Sequence, residues 1–278
     1  MKKNILLGII LVFYSITGLS QNSDVLSYGT PEEVGLDSEL IHQRVDSIIT
    51  NGIEQEAFPG AQVLVAKNGK IIFHEAYGYH TYDKNQPVKT NDIYDLASVT
   101  KITAALPAVM KLVDEGKLEL DKPFSDYWTR WKKEDNKKDI TLREILSHQA
   151  GLVPYIIFLN EVIDDKGGIK SKYIHQNSNK RFSNQVYDGI FIKNNFNKKM
   201  YRLIDKSEVS TDKKYVYSGL TFLIFPELIQ QLTDSSYDYY LEKNFYLPLN
   251  TPTMGFTPKK KGFSNAIVPT EVDTLFRH

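Results

Sequence analysis

The chain has 278 residues, 34 basic against 34 acidic side chains and an apolar share of 41%, the profile of a packed globular protein rather than a disordered one. With no cysteine, disulfides and lipid attachment through a signal-peptide cysteine are excluded. The balanced charge argues against nucleic acid as a partner, since that normally requires a basic surplus on one face. The basic clusters "KKEDNKK" and "PKKKG" read as solvated loops beside the breakers Asn136, Pro258 and Gly262.

Residues 1 to 20, "MKKNILLGIILVFYSITGLS", place Lys2 and Lys3 ahead of an apolar run and then the small residues Gly18 and Ser20. This is the layout of a secretory signal peptide cut near Ser20 or Gln21; the competing reading, an uncleaved membrane anchor, needs a longer apolar span, so the mature protein is expected to be exported, periplasmic or secreted, with no membrane span. Next, "SELIHQRVDSIITNGI" repeats Leu40, Ile41, Val45, Ile48 and Ile49 at helical spacing, with Ser38 as cap and Gly52 as stop. Two β-rich runs follow at 61 to 66 and 70 to 77 around Asn68-Gly69, a dipeptide suited to a tight hairpin because both central residues need positive φ. Such a hairpin is marginal alone, and the chain offers no convincing further strands to pair with it.

From Leu96 onward the pattern predicts helices at about 98 to 115, 141 to 147, 184 to 206, 217 to 233 and 236 to 245, joined by polar loops. Pro107 should bend the first of them or break its regular hydrogen bonding. The tail from Gly262 reads as a proline-punctuated loop, and there are no repeats or low-complexity tracts.

The first of these helices opens with Ser98 and Lys101. A serine hydroxyl is a weak nucleophile until a base takes its proton, and residues three apart share one helix face. The helix start adds partial positive charge and free N–H groups for an oxyanion, and desolvation lets a lysine act as a base. Two readings of the pair stand: nucleophile with base, or a capping serine beside a solvated lysine. Spacing alone does not decide, because Ser210 and Lys213 repeat it in the polar "STDKK". The first pair differs in opening an apolar run through Ile102, Ala105, Leu106, Val109, Met110, Leu112 and Val113.

"LASVTKITAALPAVMKLVDEGKLELDKPFSDYW", "ITLREILSHQAGLVPY" and the hairpin "PGAQVLVAKNGKIIFHEAYG" together resemble the serine β-lactamase-related family: class C β-lactamases, penicillin-recognising D-alanyl-D-alanine carboxypeptidases and esterase relatives. The likeness runs from about residue 31 to the end. It implies an α+β fold, an antiparallel sheet flanked by helices plus an all-helical half, with the site between them. It also implies a Tyr-x-Asn motif within "KKYVYSGLTFLIFPELIQQLT". Tyr217 is the counterpart of its tyrosine, which helps activate the serine and protonate the leaving group. Gly219 stands in the place of the substrate-binding asparagine, so a side-chain amide is missing. The family's late Lys-or-His, any residue, Gly motif has literal matches at Lys67-Asn68-Gly69, Lys166-Gly167-Gly168 and Lys260-Lys261-Gly262, none on a suitable strand. The resemblance therefore implies that residues 21 to 278 form a β-lactamase-related domain lacking its C-terminal part, with an incomplete sheet.

His42, His74, His80, His148, His175 and His278 have no metal-ligand spacing, and Gly167-Gly168 is too short for a phosphate loop, so no metal and no cofactor is expected. His148 in "LSHQAGL" is expected to be structural. The leading expectation is a serine hydrolase that acylates Ser98, with Lys101 and Tyr217 exchanging protons, on a β-lactam, a D-alanyl peptide or a small ester. The alternative is a non-catalytic module that binds a cell-wall or ester-like ligand.

Overall fold

The computed structural model describes residues 26–263 and 266–270, so the expected signal peptide lies outside the described residues. The chain divides into two units, one of Met1–Asp95 with Phe263–His278 and one of Leu96–Gly262.

In the first unit, β1 (Ser27–Tyr28) runs parallel to β3 (Lys70–Gly78), which pairs antiparallel with β2 (Gly60–Lys67) in the order β1-β3-β2. The hairpin is the expected one: Asn68 and Gly69 take φ of 51° and 76°, the mirror-image turn that matches strand twist. At the other end Gly60 faces Gly78, and a Cβ at Gly60 would fall 2.4 Å from the Tyr79 carbonyl oxygen, so no side chain fits there. Helix α1 (Ser38–Glu54) runs through Gly52 instead of stopping there. Its cap is Asp37 rather than Ser38, the carboxylate accepting the Leu40 N–H at 2.8 Å. The ring of His42 meets that of Phe73, which is buried on β3. Beyond β3, His80 and Asp92 form a buried pair at 2.7 Å. The tail is tied in as well: Ile93 donates to the Ala266 carbonyl and accepts the Val268 N–H.

The second unit is mainly helical. Its opening run is not one helix but three pieces: a 3₁₀ turn Ala97–Val99, a π turn Lys101–Ala105, and α2 (Leu106–Asp114) with Pro107 in its first turn. Proline has no N–H to give the carbonyl four residues earlier, which therefore needs another donor. The Thr103 carbonyl, four residues before it, takes the Tyr246 hydroxyl at 3.2 Å. Ala108, Val109 and Leu112 of α2 are buried with α3 (Leu142–Leu146) and with Phe124 and Trp131, whose rings meet edge-on at 5.2 Å.

A correction falls at 184 to 206. Only α4 (Phe196–Lys206) is helical there; before it, β4 (Ile174–His175), β5 (Asn184–Tyr187) and β6 (Ile190–Ile192) form an antiparallel sheet in the order β4-β6-β5. The second unit is therefore not all helical, although the α+β class holds. The β5–β6 turn is Asp188-Gly189, with Gly189 at φ 71°. Helices α5 (Phe225–Thr233), α6 (Tyr237–Leu241) and α7 (Pro258–Lys261) complete the unit; α6 runs on into a π turn, Glu242–Tyr246. Phe225, Leu228, Ile229 and Leu241 bury the apolar sides of α5 and α6 in the same core.

Candidate active site

Ser98, Lys101, Tyr217 and Gly219 all lie in the second unit and come together. The local backbone explains the first pair. Ala97 is held at φ 43°, a conformation few non-glycine residues adopt, and Ser98 follows it on the exposed 3₁₀ turn. The π turn then begins at Lys101, a wide turn that often marks functional positions in helices. Lys101 Nζ donates to Ser98 Oγ at 3.0 Å. Ser98 is the middle residue of its turn, whose N-cap is Leu96, and not a capping residue.

Tyr217 is not on a helix as expected. It sits, partly exposed, in an irregular segment ahead of the 3₁₀ turn Thr221–Leu223. Hydrogen bonds to Lys101 and then to Ser98 hold its phenol below the usual tyrosine range, because both favour the phenolate. Lys101 Nζ also lies 5.2 Å from the Tyr217 ring centre and 5.7 Å from that of Phe222, within cation–π reach of both.

The segment carrying Tyr217 is fixed by residues 148 to 154. The Val216 N–H donates to the His148 carbonyl at 2.9 Å, and the Ser218 N–H to His148 Nδ1 at 3.2 Å. The Ser218 hydroxyl donates to the Val153 carbonyl at 2.8 Å, and the Gly219 N–H to that of Pro154 at 3.2 Å. Gly151 lets the same stretch meet the chain at Ser210: a Cβ there would sit 2.2 Å from the Ser210 carbonyl oxygen, and the Ser210 N–H donates to the Gly151 carbonyl.

His148 itself follows α3, whose capping box joins Thr141 and Glu144, and ends it in a left-handed conformation with φ 57°. Its ring lies 4.5 Å from that of Tyr217 and 5.9 Å from that of Phe222, and meets Tyr215 edge-on. Burial, and then the charge of Lys101, push its pKa below the ordinary histidine value. The sequence marked His148 only as a structural residue, and Phe222 and Tyr215 not at all. The signal for them is spatial.

Gly219 faces the tip of Lys101: a Cβ would lie 3.8 Å from Cε and 4.0 Å from Nζ, ordinary contact distances. The second Ser-x-x-Lys does not converge. Lys213 pairs with Glu144 at 3.3 Å, and Ser210 Oγ accepts the Asp212 N–H. The three Lys-x-Gly matches fall at the hairpin turn, at a turn with Gly167 in the left-handed region, and at the end of α7. Among the described residues, no three His, Asp or Glu side chains cluster as metal ligands, and no helix is long and apolar enough to cross a membrane.

The fold is of the β-lactamase/transpeptidase-like class. More particularly, the family model described as Beta-lactamase matches residues 45–266, and the chain belongs to that family. A relative from Salmonella enteritidis PT4, named provisionally as a D-alanyl-D-alanine carboxypeptidase, is 29% identical over 273 residues, covering 93% of this chain and 57% of its own. The chain thus spans little more than half the length of the curated relatives it matches. The octameric penicillin-binding protein homologue from Pyrococcus abyssi superimposes with a TM-score of 0.61 at 21% identity, over 81% of this chain and 47% of its own. For a class C β-lactamase from Rhodobacter sphaeroides the values are 0.50, 17%, 73% and 47%. These structural likenesses speak for the fold alone.

Proposed function

We propose that the protein is an exported serine hydrolase that forms an acyl-enzyme on Ser98 with a small ester, a D-alanyl peptide or a β-lactam. The observation that carries this reading is the Lys101 ammonium placed 3.0 Å from the Ser98 hydroxyl with the Tyr217 ring 5.2 Å from the same ammonium. Ser98 Oγ attacks the substrate carbonyl carbon, and its proton passes into the Lys101–Tyr217 pair. The carbonyl oxygen becomes an oxyanion beside the Ser98 N–H, which lies in the first turn where a helix offers no acceptor. Collapse breaks the bond to the leaving group, which takes the proton from the pair. Water then attacks the acyl carbon by the same route and frees Ser98. Gly219 offers no amide to an amide substrate, which favours esters over β-lactams.

The test is labelling of the protein with a fluorophosphonate or with penicillin, read by intact mass and peptide mapping. An adduct on Ser98 that disappears in Ser98→Ala supports the proposal; no adduct on a folded protein overturns it. Saturable ligand binding that Ser98→Ala leaves untouched would favour a binding module, the reading to which the missing amide at Gly219 lends support.

A further inference from the structure

Tyr217 has no helix to hold it, yet its hydroxyl must stay on two groups at once. Beside the bonds of Ser218 to Val153 and of Gly219 to Pro154, one residue restrains it twice. The carbonyl of His148 accepts the N–H of Val216, and Nδ1 of the same residue accepts the N–H of Ser218, so His148 is bonded to both chain neighbours of Tyr217. Its ring also lies against the Tyr217 ring at 4.5 Å. We propose that His148 is a positioning residue for the candidate site, its neutral imidazole clamping Tyr217 so that the phenol keeps contact with Lys101 and Ser98. This deepens the reading of Ser98 as an acylated nucleophile and rests on it.

The clamp depends on the protonation of one nitrogen. Nδ1 can accept from Ser218 only while it carries no proton, which leaves the neutral ring with its proton on Nε2. Protonation at Nδ1 removes the acceptor and sets two N–H groups facing each other. It also puts a second positive charge beside Lys101. The charged and titratable groups on the elements packed around the ring are few. They are Lys101 on the π turn, Tyr215 and Tyr217 on the clamped segment, and the ion pairs Lys213–Glu144 and Lys214–Asp212 at its base. The two ion pairs are internally compensated, so Lys101 is the charge that acts on the ring, and together with burial it favours the neutral form.

Two substitutions separate the clamp from simple packing. His148→Ala removes the acceptor and strains the positive φ. His148→Asn tolerates that φ and carries a side-chain oxygen able to take the place of Nδ1, but it does not titrate. Acylation by a fluorophosphonate should slow about tenfold or more in His148→Ala, and His148→Asn should recover most of that loss. In the unaltered protein the fall in acylation rate should steepen on the acid side of the ordinary histidine value, and the steepening should be gone in His148→Asn. An unchanged acid profile in His148→Asn would overturn the proposal.

A second measurement needs no activity: titration of the Tyr217 phenol in ¹³C-tyrosine-labelled protein, with its signal assigned by Tyr217→Phe. His148→Ala should move it up toward the ordinary tyrosine value of about 10, and His148→Asn should move it less. If Tyr217 titrates alike in all three proteins, the clamp is refuted whether or not Ser98 is acylated. If it moves while no Ser98 adduct ever forms, the clamp stands and the hydrolase reading fails.

Discussion

Lys101 Nζ stands 3.0 Å from Ser98 Oγ, both side chains supplied by consecutive turns of different pitch. The serine turn is tight and the lysine turn is wide, and an ammonium so placed has two aromatic rings as its other neighbours. Replacing it should remove proton transfer and leave the fold intact, because Lys101 is only half-buried. Lys101→Met is expected to lower the acylation rate by about 10²–10⁴-fold, with thermal unfolding little changed. Lys101→Arg should not rescue it, since guanidinium does not deprotonate near neutral pH. Stopped-flow acylation measured beside circular dichroism melts checks both expectations.

The phenol of Tyr217 is held below its ordinary value by hydrogen bonds to Lys101 and then to Ser98. If the phenolate takes the serine proton, the rate should rise with pH through a value below about 10 and then level. Tyr217→Phe should flatten that rise and lower the plateau. The stability effect has a definite sign. A depressed acid adds stability that is fully present above its unfolded value and is lost as pH falls through its folded value. Tyr217 is too exposed for this to be large, so the rate profile is the measurement to make.

Gly219 lies outside the left-handed φ range, and the space beside it admits a Cβ at ordinary contact distance from Lys101. Nothing in the backbone therefore requires glycine. Gly219→Ala should stabilise the protein by about 0.4–1 kcal/mol by restricting the unfolded chain, as urea titration would read. Gly219→Asn restores an amide next to the lysine and should raise the rate of penicillin acylation relative to that of an ester. An unaltered penicillin-to-ester ratio would show that this position does not select the substrate.

The parts legible in the sequence were those that depend on neighbours a few residues away. Ser98 and Lys101 could be paired from spacing because a helical turn joins them, and Asn68-Gly69 announced its hairpin because its turn needs two positive φ values. Tyr217 was reached only through resemblance, since its role depends on a phenol brought across 116 residues of chain to Lys101. The His148 clamp was hidden for a different reason: two of its bonds use backbone N–H groups, which every residue other than proline carries and no motif records. Strands β5 and β6 were lost to a predicted helix because runs of four and three residues are too short to show a period of two. The Asp188-Gly189 turn between them was the available signal.

Arg130 and Asp205 offer the sharpest test of what holds the second unit together. Arg130 Nε donates to Asp205 Oδ2 at 2.9 Å and Nη2 donates to the same oxygen, joining the 3₁₀ turn Thr129–Lys133 to α4. The Asp205 side chain is 7% exposed while that of Arg130 is 39% exposed, and Asp205 Oδ1 is buried without a hydrogen-bond partner. The carboxylate thus depends on an arginine that water can partly reach. Arg130→Ala strands a buried charge and should cost about 3 kcal/mol, near the low end for a broken buried pair. Removing both partners in Arg130→Met with Asp205→Leu should cost less than the sum of the single changes, because the carboxylate is no longer stranded without its arginine and the remaining cost falls on buried Lys137, which loses the Asp205 charge near it. Urea titrations of the single and double variants decide the matter. A double variant as unstable as the sum of its parts would mean that the pair acts through packing against Trp128 and Tyr201, whose rings lie 6.0 Å from the guanidinium, and not through charge.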